Sequence, residues 1–142
     1  WLSEGAAATL ESIYVQEHYS YDYFSSAQEP NLSNKVIQTP SLYESYDESG
    51  GDLDVNYSGS VFLTLVLAKE LKNKGLTETQ AFRKILKDFY LLKPDSKNWK
   101  NKFEEIFLIS TDSFYDAVRQ YEVSYKDLLP GSELKLSEIF SN

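Results

Sequence analysis

The sequence predicts a mainly α fold: an irregular antiparallel array of about five helices, with a long polar and aromatic loop after the first. Apolar residues recur at helical spacing in successive stretches, and helix start and stop signals fall between those stretches. The short connections between the last three full helices favour antiparallel neighbours.

The first helix is expected from Ser3 to about Tyr19, where Ala6, Leu10, Ile13 and Tyr14 recur on one side and Ser3 can cap the start. Residues 20–56 form the long loop, which holds Pro30, Pro40 and the Gly50-Gly51 pair and keeps neither helical nor strand periodicity. Its tyrosines, Tyr21, Tyr23, Tyr43 and Tyr46, suggest that the loop lies against the body. A second helix runs from about Gly59 to Asn73; its first half is apolar all round, which marks a central, buried helix. Gly75 supplies a left-handed stop. Thr77 and Gln80 form a capping box that opens a third helix, with Phe82, Ile85, Leu86 and Phe89 inward, up to Pro94. Ser96 is expected to cap a fourth helix through Trp99, Phe103, Ile106 and Phe107. Ser110 or Thr111 caps a fifth carrying Phe114, Ala117, Val118 and Tyr121. The tail turns at Pro130-Gly131 and docks through Leu134, Leu136, Ile139 and Phe140.

The 142 residues suit one domain, expected to span 1–142, and aromatic content of 15% is too high for a disordered chain. The net charge of -8, with 14 scattered basic residues, leaves no basic stripe to neutralise phosphates, so nucleic acid is disfavoured as a partner. With no cysteine, disulfides, thiolate catalysis and Cys-based zinc sites are excluded. His18 is the one histidine, so neither a two-His metal site nor a Ser-His triad can be built within the chain. The longest apolar run, Val61 to Ala68, is far too short to span a bilayer. Methionine is absent and Trp1 opens directly into a motif, so the chain is expected to be an internal or C-terminal piece of a longer protein.

Trp1-Leu2-Ser3-Glu4-Gly5-Ala6-Ala7 resembles the W-L-x-E-G-x-A segment of the gluzincin metallopeptidases, the aminopeptidase N-like group in particular. The resemblance implies that Glu4 is the third protein ligand of a catalytic zinc. The other two ligands and the general base would come from an upstream H-E-x-x-H helix of the same protein. Glu11, seven positions on, matches the family's next acidic residue. Seven residues is nearly two helical turns, so the two carboxylates share one face and Glu11 can tune the metal shell. Tyr57-Ser58-Gly59-Ser60 is similar to the family's Y-x-x-G entry to a helix, where the phenol stabilises the oxyanion; here Ser60 stands where glycine is usual. The Phe103-Glu104-Glu105-Ile106-Phe107 stretch echoes the same domains and implies only aromatic anchoring.

The resemblance thus implies the C-terminal helical portion of a zinc-dependent peptidase, acting on a peptide or protein substrate and inactive in isolation. One carboxylate cannot replace three ligands, so the chain alone should hold no zinc. The alternative is a non-catalytic helical protein-binding module that uses its aromatic loop. The acidic run Asp47, Glu48, Asp52 and Asp54 could hold calcium, and Asp52-Leu53-Asp54-Val55-Asn56 mimics the start of an EF-hand loop, but the sixth-position glycine, the closing glutamate and a preceding helix are missing, which favours a solvated loop.

Overall fold

Two long helices, α1 (Leu2–Tyr19) and α3 (Leu53–Asn73), pack along each other and set the frame. The computed structural model describes residues 1–45 and 53–142. The buried side of α1 is made of small residues, Gly5, Ala8, Thr9 and Ser12, between Leu2 and Ile13. At Gly5 the two backbones touch: an added Cβ would strike the Thr64 hydroxyl and the Ser60 carbonyl, and would lie 2.9 Å from the Ser60 carbonyl carbon. Gly5 meets Ser60 and Thr64 while Ala8 and Glu11 share a cleft with Tyr57 and Ser58, so the pair runs antiparallel. Thr64 Oγ1 donates to the Ser60 carbonyl at 2.9 Å and Ser12 Oγ to the Ala8 carbonyl at 2.8 Å, each within its own helix, whereas the buried Thr9 hydroxyl has no hydrogen-bond partner among the described residues.

The central helix is buried throughout Ser58–Ala68, as its all-apolar pattern predicts. It begins at Leu53, however, and not near Gly59. Gly59 sits inside the helix because a Cβ there would run into the Tyr43 ring. That glycine answers a packing need and does not mark a boundary.

Between α1 and α3 the chain is less irregular than expected. It forms a π-helical turn (Phe24–Gln28), a 3-10 turn (Glu29–Asn31), a short α2 (Lys35–Gln38) and a second 3-10 turn (Pro40–Glu44). Fully buried Phe24 and Val36 dock this segment, joined by Tyr43. The described part of the segment thus lies against the body, with Tyr43 buried, Tyr23 half-buried and Tyr21 exposed; Tyr46 lies outside the described residues.

Gly75 takes φ +100°, and the Thr77–Gln80 capping box forms in both directions. One rod follows as α4 (Glu78–Arg83), a π-helical turn (Lys84–Asp88) and α5 (Phe89–Leu91), with Phe82, Ile85, Leu86 and Phe89 buried. The start of α6 (Trp99–Phe107) is organised by Asp95, whose carboxylate accepts from the Lys97 and Asn98 amides at 2.8 and 2.9 Å, and not by Ser96. Ser110 caps α7 (Thr111–Val118) by accepting from the Ser113 amide at 3.1 Å. The tail docks through buried Leu134 and Ile139, and it ends in α8 (Leu136–Ile139). Phe140 stays exposed at 42%, contrary to expectation, because the last turn of α8 aims it outward while Arg83 and Lys87 hold the carbonyls beside it.

No strand occurs among the described residues, and no described helix is long and apolar enough to cross a membrane. A single core joins the elements, with Phe62, Phe82, Phe103, Phe107 and Phe114 wholly enclosed.

Candidate functional site

Each residue of the opening motif has a distinct physical task. Trp1 is a core anchor: its ring stacks on Phe114 at 5.6 Å and meets Phe103 edge-on at 6.1 Å. Its backbone nitrogen donates to the Tyr43 carbonyl at 2.7 Å. Leu2 and Ala6 are buried, Gly5 seats α1 on α3, and Ser3 and Ala7 face outward. The cap expected of Ser3 is not made, since α1 already starts at Leu2 with no side-chain cap. Glu4 is thereby carried on a rigid first turn, half-buried, with its carboxylate at the edge of the helix where the dipole also favours it.

Glu4 lines a cleft of about 500 Å³ together with Trp1, Glu44, Phe89, Asp95 and Trp99. One hydrogen-bonded chain crosses its wall. The Trp1 indole donates to the Tyr115 hydroxyl at 3.0 Å, and that hydroxyl donates to Glu44 at 2.7 Å. The other oxygen of Glu44 pairs with Lys100 at 3.1 Å, and the Lys100 ammonium lies 5.5 Å from the centre of the Trp99 ring. Burial, and then the Glu44 carboxylate, push the Tyr115 phenol far above its ordinary value, so it is a fixed neutral donor. Tyr90, donating to the Leu2 carbonyl at 3.3 Å, is also raised, chiefly by burial and further by Glu4. Glu44 is thus committed to partners, whereas Glu4 pairs with no Lys or Arg among the described residues.

Glu11 and Tyr57 come together elsewhere. Both line a second cleft, of about 390 Å³, between α1, the Phe24–Asn31 turns and the start of α3. Tyr57 lies within α3, 41% exposed. Glu4 and Glu11 do share the outward side of α1, with exposed Ala7 between them, but they open into different clefts. The structure therefore brings Glu11 to Tyr57 and does not bring Tyr57 to the cleft of Glu4. The reason is the antiparallel register set at Gly5, which places Tyr57 and Ser58 of α3 beside Ala8 and Glu11 of α1.

Among the described residues no three His, Cys, Asp or Glu side chains are arranged to hold a metal ion. His18 is exposed near the end of α1, its ring 4.4 Å from that of Tyr14. Asp47, Glu48 and Asp52 of the acidic run lie outside the described residues, and Leu53–Asn56 belong to α3.

Sequence patterns gave no sign of Glu44 or Gln28. Both sit in short turns without periodicity, and only tertiary packing brings them to the clefts. Comparison with protein-family models, curated proteins and solved structures finds no match to this chain.

Proposed function

We propose that this chain is the C-terminal helical portion of a zinc-dependent peptidase, supplying Glu4 as one metal ligand and contributing part of the substrate cleft. One observation carries this reading. Glu4 stands on a helix locked from behind by Gly5 and anchored by Trp1, faces a cleft, and pairs with no Lys or Arg among the described residues, its charge interacting with the Trp1 α-ammonium. A carboxylate used only for surface stability has no need of such a rigid mount, while a metal ligand does. The outward stripe of Glu4, Ala7 and Glu11 leaves room for an upstream helix to approach α1 closely.

Zinc held by the complete set of ligands would supply a Lewis acid there; the part of this chain is to position Glu4. Glu11 supports the same outward face of α1. An oxyanion role for Tyr57 gains nothing from the geometry, because its cleft is the other one. The proposal rests on Glu4.

A protein extended upstream through an H-E-x-x-H segment is expected to cleave peptides. Glu4→Gln should abolish that activity while leaving the melting temperature of the metal-free protein within a few degrees of its parent's. Undiminished peptidase activity in Glu4→Gln would defeat the proposal.

The second reading is a non-catalytic protein-binding module, and it has its own observation. Tyr14, Tyr19 and Tyr21 are 46%, 69% and 52% exposed around the end of α1. An inactive extended protein that loses a partner on Tyr19→Ser would favour it.

A further inference from the structure

The cleft shared by Glu11 and Tyr57 is built for a ligand independently of any metal. Gln28 lines it, 9% exposed overall; its backbone carbonyl accepts from Ser58 Oγ at 2.5 Å, while its carboxamide makes no hydrogen bond among the described residues and keeps contact with solvent. An amide on the lining of an open cleft and without a protein partner can exchange its water for a ligand's donors and acceptors. Asn31 adds a second carboxamide at the rim, and Tyr23 and Tyr57 add two aromatic rings. Ala7, Ala8 and Ala27 leave the space open, and the volume of about 390 Å³ is in the range of small-ligand sites.

The charge of the ligand follows from the lining. Glu11 carries the one formal charge among the described residues that line the cleft, and no Lys, Arg or His offsets it. Anions are disfavoured, and one carboxylate is too few for a bare divalent ion. A cation that is also planar and rich in donors matches the whole set. Its charge would meet Glu11, its N–H groups would meet the Gln28 and Asn31 oxygens, and its face would lie on a tyrosine ring.

We propose that this cleft binds the guanidinium group of an arginine side chain presented by a peptide. Neither Glu4 nor zinc takes part, so the proposal stands or falls apart from the peptidase reading. The binding is expected to be weak for a single side chain, because only one residue's contacts are made.

The test is an NMR titration of the metal-free chain with Nα-acetyl-argininamide. Nα-acetyl-lysinamide, the neutral isostere Nα-acetyl-citrullinamide and the sugar cellobiose serve as comparisons. Saturable shifts are expected at residues 7–11, 23–31 and 57–58, with arginine tightest, lysine weaker and citrulline weaker by on the order of tenfold. Glu11→Gln, at an exposed position, should fold normally and weaken arginine binding by on the order of tenfold, and Asn31→Ala should weaken it less. Equal binding of citrulline, preferential binding of cellobiose, unchanged binding in Glu11→Gln, or no saturable shift with any probe would each overturn the proposal.

Discussion

Gly5→Ala isolates the contact on which the geometry of α1 depends. In an exposed helix the change stabilises by about 0.5–1 kcal/mol, because alanine loses less backbone freedom than glycine on folding. Here the new methyl would be driven into the Ser60 carbonyl and the Thr64 hydroxyl. Backbone of a buried helix cannot swing aside as the end of a flexible side chain can. Overpacking of this kind costs about 1–3 kcal/mol. The steric term wins, and a net loss of about 1–2 kcal/mol is expected, or a fall of about 3–8 °C in melting temperature for a domain of this size. Thermal unfolding followed by circular dichroism reads it. Thr64→Ala in the same chain removes one of the two obstacles and should recover part of the loss, a coupling visible in a double-mutant cycle. A Gly5→Ala protein as stable as its parent would refute the close approach of α1 and α3, and with it the register that separates Glu4 from Tyr57.

Three further outcomes rest on the same structure. Tyr115→Phe removes the hydroxyl that links the Trp1 indole to Glu44 and should cost about 1–2 kcal/mol, since both partners are left short. Lys100→Met removes the half-exposed pair with Glu44 and the ammonium's contact with the Trp99 ring, both at the surface, and should cost less, about 0–1 kcal/mol; urea unfolding separates the two. Burial holds the phenols of Tyr115, Tyr121 and Tyr125 above their ordinary value near 10, the last while it donates to the Ser58 carbonyl at 2.6 Å. Above about pH 10 the unfolded chain gives up these protons and the native one keeps them, so stability is intact below that pH and falls as pH rises past it. Tyrosinate absorbance should therefore rise in two phases, the second coinciding with loss of helical ellipticity; a single phase in folded protein would contradict the assigned burial.

Helices were legible in the sequence wherever a local rule governed them. The Thr77–Gln80 box, the left-handed Gly75 and the Ser110 cap each depend on residues within three or four positions, and all three form as expected. The misjudged features depend on distant partners or on a competing neighbour. Gly59 looks like a boundary until Tyr43 is brought against it, and Ser96 looks like a cap until Asp95 takes both amides. Phe24 and Val36 dock the long connection as single residues, which no periodicity can reveal. The opening motif showed a helix bearing Glu4 and Glu11, and both lie on the outward side of α1. It could not show which cleft each would enter, because that depends on how α3 and the intervening turns pack.

Zinc stoichiometry tests the central claim most directly. The chain extended upstream through H-E-x-x-H, purified and assayed for bound metal, is expected to hold one zinc per molecule. Glu4→Gln should reduce the affinity by on the order of a hundredfold or more, and the chain as it stands should bind zinc only weakly. Unaltered zinc affinity in Glu4→Gln, or a tight stoichiometric site in the unextended chain, would contradict the account.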